Sequence, residues 1–253
     1  MKKSTPGIGL IGYGRFGKFA AKHLVRYGRM LIYDPRRLRH ESLPRGARVG
    51  SLVEVAKQPV VILAVPVFNL RKTLQKISPH VVPGALIVDV SAVKGKPVIW
   101  MKQILPRSVN ILGTHPLFGP DSAASDITGH SVVLCPVRIP YSLMKEIGGI
   151  LSRAGLKTLR MSPSNHDKMI AETLFVTQMV GRIVAGAKLS RHACSTPNYE
   201  KLISLQEVAE RDTERLFLDL WEYNPAARKV SNGLWKAHLT IRNKESGKAR
   251  ERH

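Results

Sequence analysis

Residues 111–122 read ILGTHPLFGPDS, and the ionisable ring in that stretch is His115. An imidazole titrates nearest neutrality, so it can take and return a proton at working pH. Pro116, Gly119 and Pro120 wall it in. Taken alone, the stretch fits either a packed loop histidine or an acid/base group on a stiff support.

A second pattern is Gly12-Tyr13-Gly14-Arg15-Phe16-Gly17. G-x-G-x-x-G by itself is a weak signal. Here it follows a strand pattern and opens a helix, and the next strand ends in an acid, Asp34; that context marks a dinucleotide phosphate loop. Gly12 allows the tight turn, Gly14 lets backbone approach a pyrophosphate, and Gly17 lets helix pack on strand. The helix N-terminus offers free N–H groups to the anion. Asp34 can accept hydrogen bonds from both ribose hydroxyls and sits badly with a 2′-phosphate, which favours NAD over NADP. Arg36 and Arg37 pull the other way. Arg15, Phe16 and Pro66 are expected to complete the cofactor lining.

Groups like these need rigid elements behind them. Strand candidates fall at 7–12, 30–34, 60–65, 85–90, 109–114, 131–135 and 156–161, with helical stretches such as 14–28 and 141–155 between them. The early strands are nearly continuous apolar runs, as in a sheet covered on both faces. This alternation predicts an α/β, Rossmann-type doubly wound parallel sheet. In such a sheet the carboxyl ends of the strands line the ligand crevice, so His115 is expected beside the nicotinamide end of the cofactor.

After residue 161 no strand pattern appears. Helical periodicity opens at Ser164 or Asn165, both good N-caps. A second helix is expected over 198–224 and a third, restarted by Pro225, over 226–242. The expected organisation is a dinucleotide-binding domain (1–162), an all-helical substrate and dimerisation domain (163–245), and a basic, frayed tail (246–253).

Lys and Arg number 40 against 18 acids, a net charge of +22. The basic residues are spread along the chain without an aromatic-and-basic module for single strands. The charge therefore points to anionic small molecules rather than nucleic acid. No 18-residue apolar run and no leader segment is evident, so neither a membrane span nor export is expected. Cys135 and Cys194 form neither a metal pattern nor a disulfide framework, which fits a reducing, cytoplasmic setting.

The motifs GLIGYGRFG, VDVSAVK, THPLFGPDS, HDKMIAETLFVTQMVGR and STPNYEKLISLQEVAERDTERLF give the chain a resemblance to the prephenate/arogenate dehydrogenases of tyrosine biosynthesis, in particular the arogenate type found in plants. The resemblance runs from the glycine loop to about residue 225. It implies an NAD-dependent oxidative decarboxylation giving 4-hydroxyphenylpyruvate or tyrosine, and a homodimer formed through the helical domain. It makes His115 the catalytic histidine. The family serine that hydrogen-bonds that histidine is replaced by Ala92, with Ser91 one position earlier as the stand-in. Arg182 and Arg211 become partners for substrate carboxylates through the bidentate guanidinium, and Lys94 a third cation in the crevice. On the long helix Leu174 and Gln178 stand where the family has glutamine and histidine; with Arg182 they share one face. Gln178 would then meet the substrate. That altered face admits a second reading, a 4-amino-4-deoxyprephenate dehydrogenase, and a third, a dinucleotide-binding sensor. His166 and Asp167 match the family's HD pair and read as first-turn helix residues.

Overall fold

The computed structural model describes residues 7–36 and 43–250, with side chains to residue 243. Arg37 and the last three residues of the basic tail lie outside them. The chain forms two compact units, Met1–His166 and Asp167–His253.

In chain order the first unit contains β1 (Ile8–Ile11), α1 (Arg15–Leu24), β2 (Met30–Tyr33), β3 (Ala47–Val49), α2 (Leu52–Ala56), β4 (Val60–Leu63), α3 (Val67–Ile77), β5 (Leu86–Asp89), α4 (Gly95–Ile104), β6 (Asn110–Pro116), β7 (Ser131–Arg138), α5 (Tyr141–Arg153) and β8 (Lys157–Arg160). The strands form one sheet in the order β3-β2-β1-β4-β5-β6-β7-β8. The order reverses between β1 and β4, the switch point at which this class of sheet takes its ligand.

Strand alternation divides the core. Ile8, Leu10, Met30 and Ile32 face one way, with Ala21 of α1. Ile11, Val61, Leu63, Ile87 and Ile111 face the other, with Leu70, Leu74 and Met101 of α3 and α4. Each buried aliphatic side chain contributes about 1.5–3 kcal/mol.

The sheet is not parallel throughout, as the sequence suggests. β6 and β7 pair antiparallel, and β8 runs parallel to β7. Residues 117–130 carry no helix, and a parallel return needs a crossover of a dozen or more residues, usually helical. β8 is the exposed edge, guarded by Lys157 and Arg160.

Helix α6 (Pro163–Ile170) opens at the junction of the two units, followed by one π-helical turn (Ala171–Phe175) and α7 (Val176–Gly186). Its cap is Ser162, ahead of the expected Ser164 or Asn165: Asn165 N donates to Ser162 Oγ at 3.2 Å, and Pro163 takes the first helical position, where a missing N–H costs nothing. By length and composition Pro163–Gly186 could cross a bilayer, with mean hydropathy 1.2 over its best window, contrary to the expectation of no such run. A third of that window is buried, and Phe175, Gln178, Gly181 and Val184 are the buried positions from 175 to 186.

The second unit continues with α8 (Pro197–Arg211), α9 (Glu214–Tyr223) and α10 (Pro225–Arg250). The single helix expected over 198–224 is broken at Asp212 and Thr213, whose side chain accepts from Leu216 N and starts α9. α10 continues into the basic tail to Arg250, so the stretch 246–250 is helical rather than frayed. Phe175 stacks on Phe217 and on Trp221, with ring centroids 5.7 and 5.9 Å apart, and Leu220 is wholly buried. These apolar groups make the core of the unit.

Candidate functional site

The glycine loop has the geometry of an anion cradle. Gly12 stands at φ +101°, open only to glycine at low cost, and a Cβ on Gly17 would lie 2.1 Å from Gly12 O. A Cβ on Gly14 would meet nothing within 4 Å; that open space lies over the start of α1. The helix begins at Gly14 without a side-chain cap or an acid in its first turn, which suits an anion at its positive dipole end. Phe16 is half-buried against Phe19, with ring centroids 6.0 Å apart. Pro66 follows β4 across the switch point and caps α3.

Asp34 ends β2 with its carboxylate pinned. Tyr13 N donates to Oδ2 at 2.7 Å, and Arg36 donates from its amide and its guanidinium. Burial alone would raise this carboxyl; the Arg36 and Tyr13 hydrogen bonds outweigh it and hold the pKa below the usual range. Arg15 forks onto Asp121 of the THPLFGPDS segment, both contacts at 2.7 Å. Both side chains are nearly half-exposed, so the pair stabilises by about 1 kcal/mol at most.

His115 lies in β6, paired with Val133 across the antiparallel ladder, rather than on a loop beyond the strand. The sheet itself therefore fixes it, and Thr114 Oγ1 adds a buried bond to Asp89 O at 2.9 Å. Burial pushes the imidazole well below its ordinary pKa, and the electrostatic influence of His166 and Lys94 pushes the same way. His115 Nδ1 lies 2.9 Å from His166 Nε2.

Expected roles change at Ser91, Lys94 and Gln178. Ser91 does not meet His115: its hydroxyl donates to Val93 O at 2.8 Å and its amide to Asp89 Oδ1 at 3.0 Å, which closes the loop on itself. Lys94 does not line an open crevice. It is wholly buried, because its ammonium is paired with Asp89 and within 3.4 Å of Ser91 Oγ. A charge at that depth needs such a partner. Asp89 was legible as an acid inside the apolar run LIVDV, which has to be compensated.

Within the second unit Gln178 is also wholly buried. Its Nε2 donates to Asp212 Oδ2 at 2.6 Å, and Arg182 Nη2 lies 3.4 Å from its Oε1. Gln178 thus braces Asp212 and Arg182 instead of presenting its amide to a ligand. The guanidinium of Arg182 sits 5.1 Å over the Phe217 ring, and its buried Nε makes no hydrogen bond. Donors left over on a half-buried guanidinium suit a carboxylate. Arg211 is exposed at the end of α8. Leu174 falls in the π-helical turn, so the uniform helical face expected from Leu174 to Arg182 is interrupted. Among the described residues no group of three His, Cys, Asp or Glu could hold a metal.

Comparison with known proteins bears on this arrangement. The family model described as "Prephenate dehydrogenase, nucleotide-binding domain" matches residues 40–155. The chain is 29% identical over 256 residues to the chloroplastic arogenate dehydrogenase 1 of Arabidopsis thaliana, covering 97% of this chain and 40% of that protein. It is 29% identical over 262 residues to arogenate dehydrogenase 2 of the same plant, covering 100% and 73%. The fold is similar to that of the A. aeolicus prephenate dehydrogenase solved with hydroxyphenyl propionate and NAD+, with TM-score 0.75 and 21% identity over 99% of this chain and 94% of that one. Synechocystis arogenate dehydrogenase gives TM-score 0.68 and 19% identity over 94% and 93%.

Proposed function

We propose that this chain belongs to the prephenate/arogenate dehydrogenase family, whose nucleotide-binding model matches residues 40–155 and whose plant members resemble it along nearly its whole length, and that it catalyses NAD-dependent oxidative decarboxylation of prephenate or arogenate. The observation that carries the reading is His115: an imidazole held in β6 and kept neutral by burial, hence a base at neutral pH. When bound, the dinucleotide supplies the acceptor for the hydride leaving the substrate's carbinol carbon.

The residues supply the rest. The Gly12–Gly17 loop and the α1 N-terminus take the pyrophosphate, and Asp34 takes the ribose hydroxyls. His115 receives the proton of the ring hydroxyl as its oxygen becomes a carbonyl. The ring carboxylate then leaves as CO2, its bonding electrons aromatise the ring, and the imidazolium returns the proton to the phenolic oxygen. Arg182, on the second unit, keeps a buried Nε without a hydrogen bond, a donor that suits a carboxylate. The contact of His115 with His166 gives the base a hydrogen-bond partner despite Ala92, which supports prephenate or arogenate over the 4-amino substrate that Ala92, Leu174 and Gln178 suggest. A homodimer through the helical unit accords with the exposed Ile183, Trp235 and Ile241, each about 60% accessible.

Replacing His115 by Asn tests the reading. Turnover of prephenate and arogenate, followed by reduced-cofactor absorbance, is expected to fall by about 10²–10⁴ with NAD affinity unchanged. Undiminished turnover overturns the assignment; NAD binding without turnover of either substrate by the unmodified protein supports a sensor.

A further inference from the structure

The family's serine is absent beside His115: position 92 is alanine, and Ser91 gives its hydroxyl to Val93 O. A second imidazole meets the ring, with His166 Nε2 2.9 Å from His115 Nδ1. The rings stand edge to face, 71° apart with centroids separated by 5.1 Å. His166 is 1% exposed and His115 7%. The backbone behind His166 is anchored, since its amide donates to Ser162 O at 3.0 Å beneath the Ser162 cap.

Of two ring nitrogens in such contact, one must donate while the other accepts. With Nδ1 of His115 committed, only Nε2 can act as a base, and Nε2 is bare only when Nδ1 carries the proton. We propose that His166 is a positioning residue whose Nε2 accepts the Nδ1–H of His115, holding the catalytic imidazole in the tautomer whose Nε2 lone pair takes the substrate's proton. This rests on His115 being the base.

The contact also favours the step itself. Before transfer the donor, His115, is a neutral ring. Once Nε2 of His115 has taken the hydroxyl proton, the donor is an imidazolium and the bond becomes charge-assisted, roughly twice as strong. It therefore strengthens as the reaction proceeds and acts on kcat more than on KM. The other charged groups near the ring are Lys94, which acts on it electrostatically, and that lysine's partner Asp89. Burial and the positive field of Lys94 both favour the neutral starting state.

The test combines two variants with a measurement that needs no turnover. His166→Phe keeps a ring but removes the acceptor; His166→Gln keeps an acceptor oxygen. The expected result for His166→Phe is a kcat lowered about tenfold or more, part of the ~10²–10⁴ that a general base supplies. KM and NAD affinity should stay within about twofold of wild type under the same premise. His166→Gln should recover most of the loss. Ring 15N shifts should place the proton of His115 on Nδ1 in the unmodified protein, and a mixture of tautomers in His166→Phe. Wild-type kcat in His166→Phe, or a proton on Nε2 of His115 in the unmodified protein, overturns the proposal. If His166→Phe does not fold, His166→Gln and the wild-type 15N assignment decide. Should His115→Asn keep full turnover, the functional reading fails; should it lose turnover while His166→Phe does not, only the positioning role fails.

Discussion

Asp34 and Arg36 make opposite demands on a dinucleotide from one place. The carboxylate, 5% exposed in its side chain, offers oxygens to ribose hydroxyls and repels a 2′-phosphate. The guanidinium, 72% exposed, is the group that would welcome one. While the two are paired, Arg36 spends its charge on Asp34 and the negative group lies innermost, an arrangement that on the proposed reading is expected to prefer NAD. Asp34→Ser is expected to raise the ratio of kcat/KM for NADP over NAD by about tenfold or more, since a charge-assisted contact is worth ~1.5–3 kcal/mol and 1.4 kcal/mol is tenfold. Adding Arg36→Ala should remove the gain. Kinetics with both cofactors check this, and an unchanged ratio in Asp34→Ser rejects the assignment. The same residues mark what sequence makes legible. Asp34 could be found because its role depends on distance along the chain from the glycine loop. The partner of His115 could not, because His166 lies 51 positions away and its HD motif reads as an ordinary helix start.

At the level of elements, apolar runs revealed the buried central strands, because burial on both faces leaves an unbroken signature. β3 escaped notice since its three residues, Ala47–Val49, are only partly buried or exposed. The reversed direction of β7 and β8 escaped notice because strand polarity is written in the connection, not in the strand. The break between α8 and α9 was masked by amphipathic periodicity continuing through Thr213. Gly181 records a constraint periodicity cannot show: a Cβ there would lie 2.5 Å from Leu205 O and 2.6 Å from the Ala209 Cβ, so α7 rests on the backbone of α8. Gly181→Ala gains about 1 kcal/mol of helix propensity but overpacks at ~1–3 kcal/mol or more, and a backbone obstacle puts it at the upper end. The expected outcome is a melting temperature lower by several degrees, read by circular dichroism. Because Gln178 and Arg182 flank this contact on α7, KM for substrate should rise while NAD affinity in the first unit stays put. A stabilised variant rejects the close-packing account.

The whole chain carries a net charge of +22, more than the phosphate loop, Arg182 and Arg211 can explain. Surplus charge of one sign destabilises the compact state by self-repulsion, so its value must lie in what it attracts. Prephenate, arogenate and NAD are all anions, and a positive field raises their concentration at the surface and their rate of arrival. Such a field acts over a Debye length of about 10 Å at 0.1 M salt and ~3 Å at 1 M. Raising ionic strength from about 0.02 to 0.5 M should therefore lower kcat/KM for the anionic substrate by about threefold or more. On the proposed reading the proton transfer falls at His115, which is buried and little screened by salt, so kcat should hardly move. Steady-state kinetics across that range, with a large inert anion to separate screening from competition at Arg182, distinguish the two terms. If kcat/KM is flat in salt, the charge does not serve substrate capture. Steeply salt-dependent retention on DNA, without sequence preference, would then assign it to a polyanionic partner.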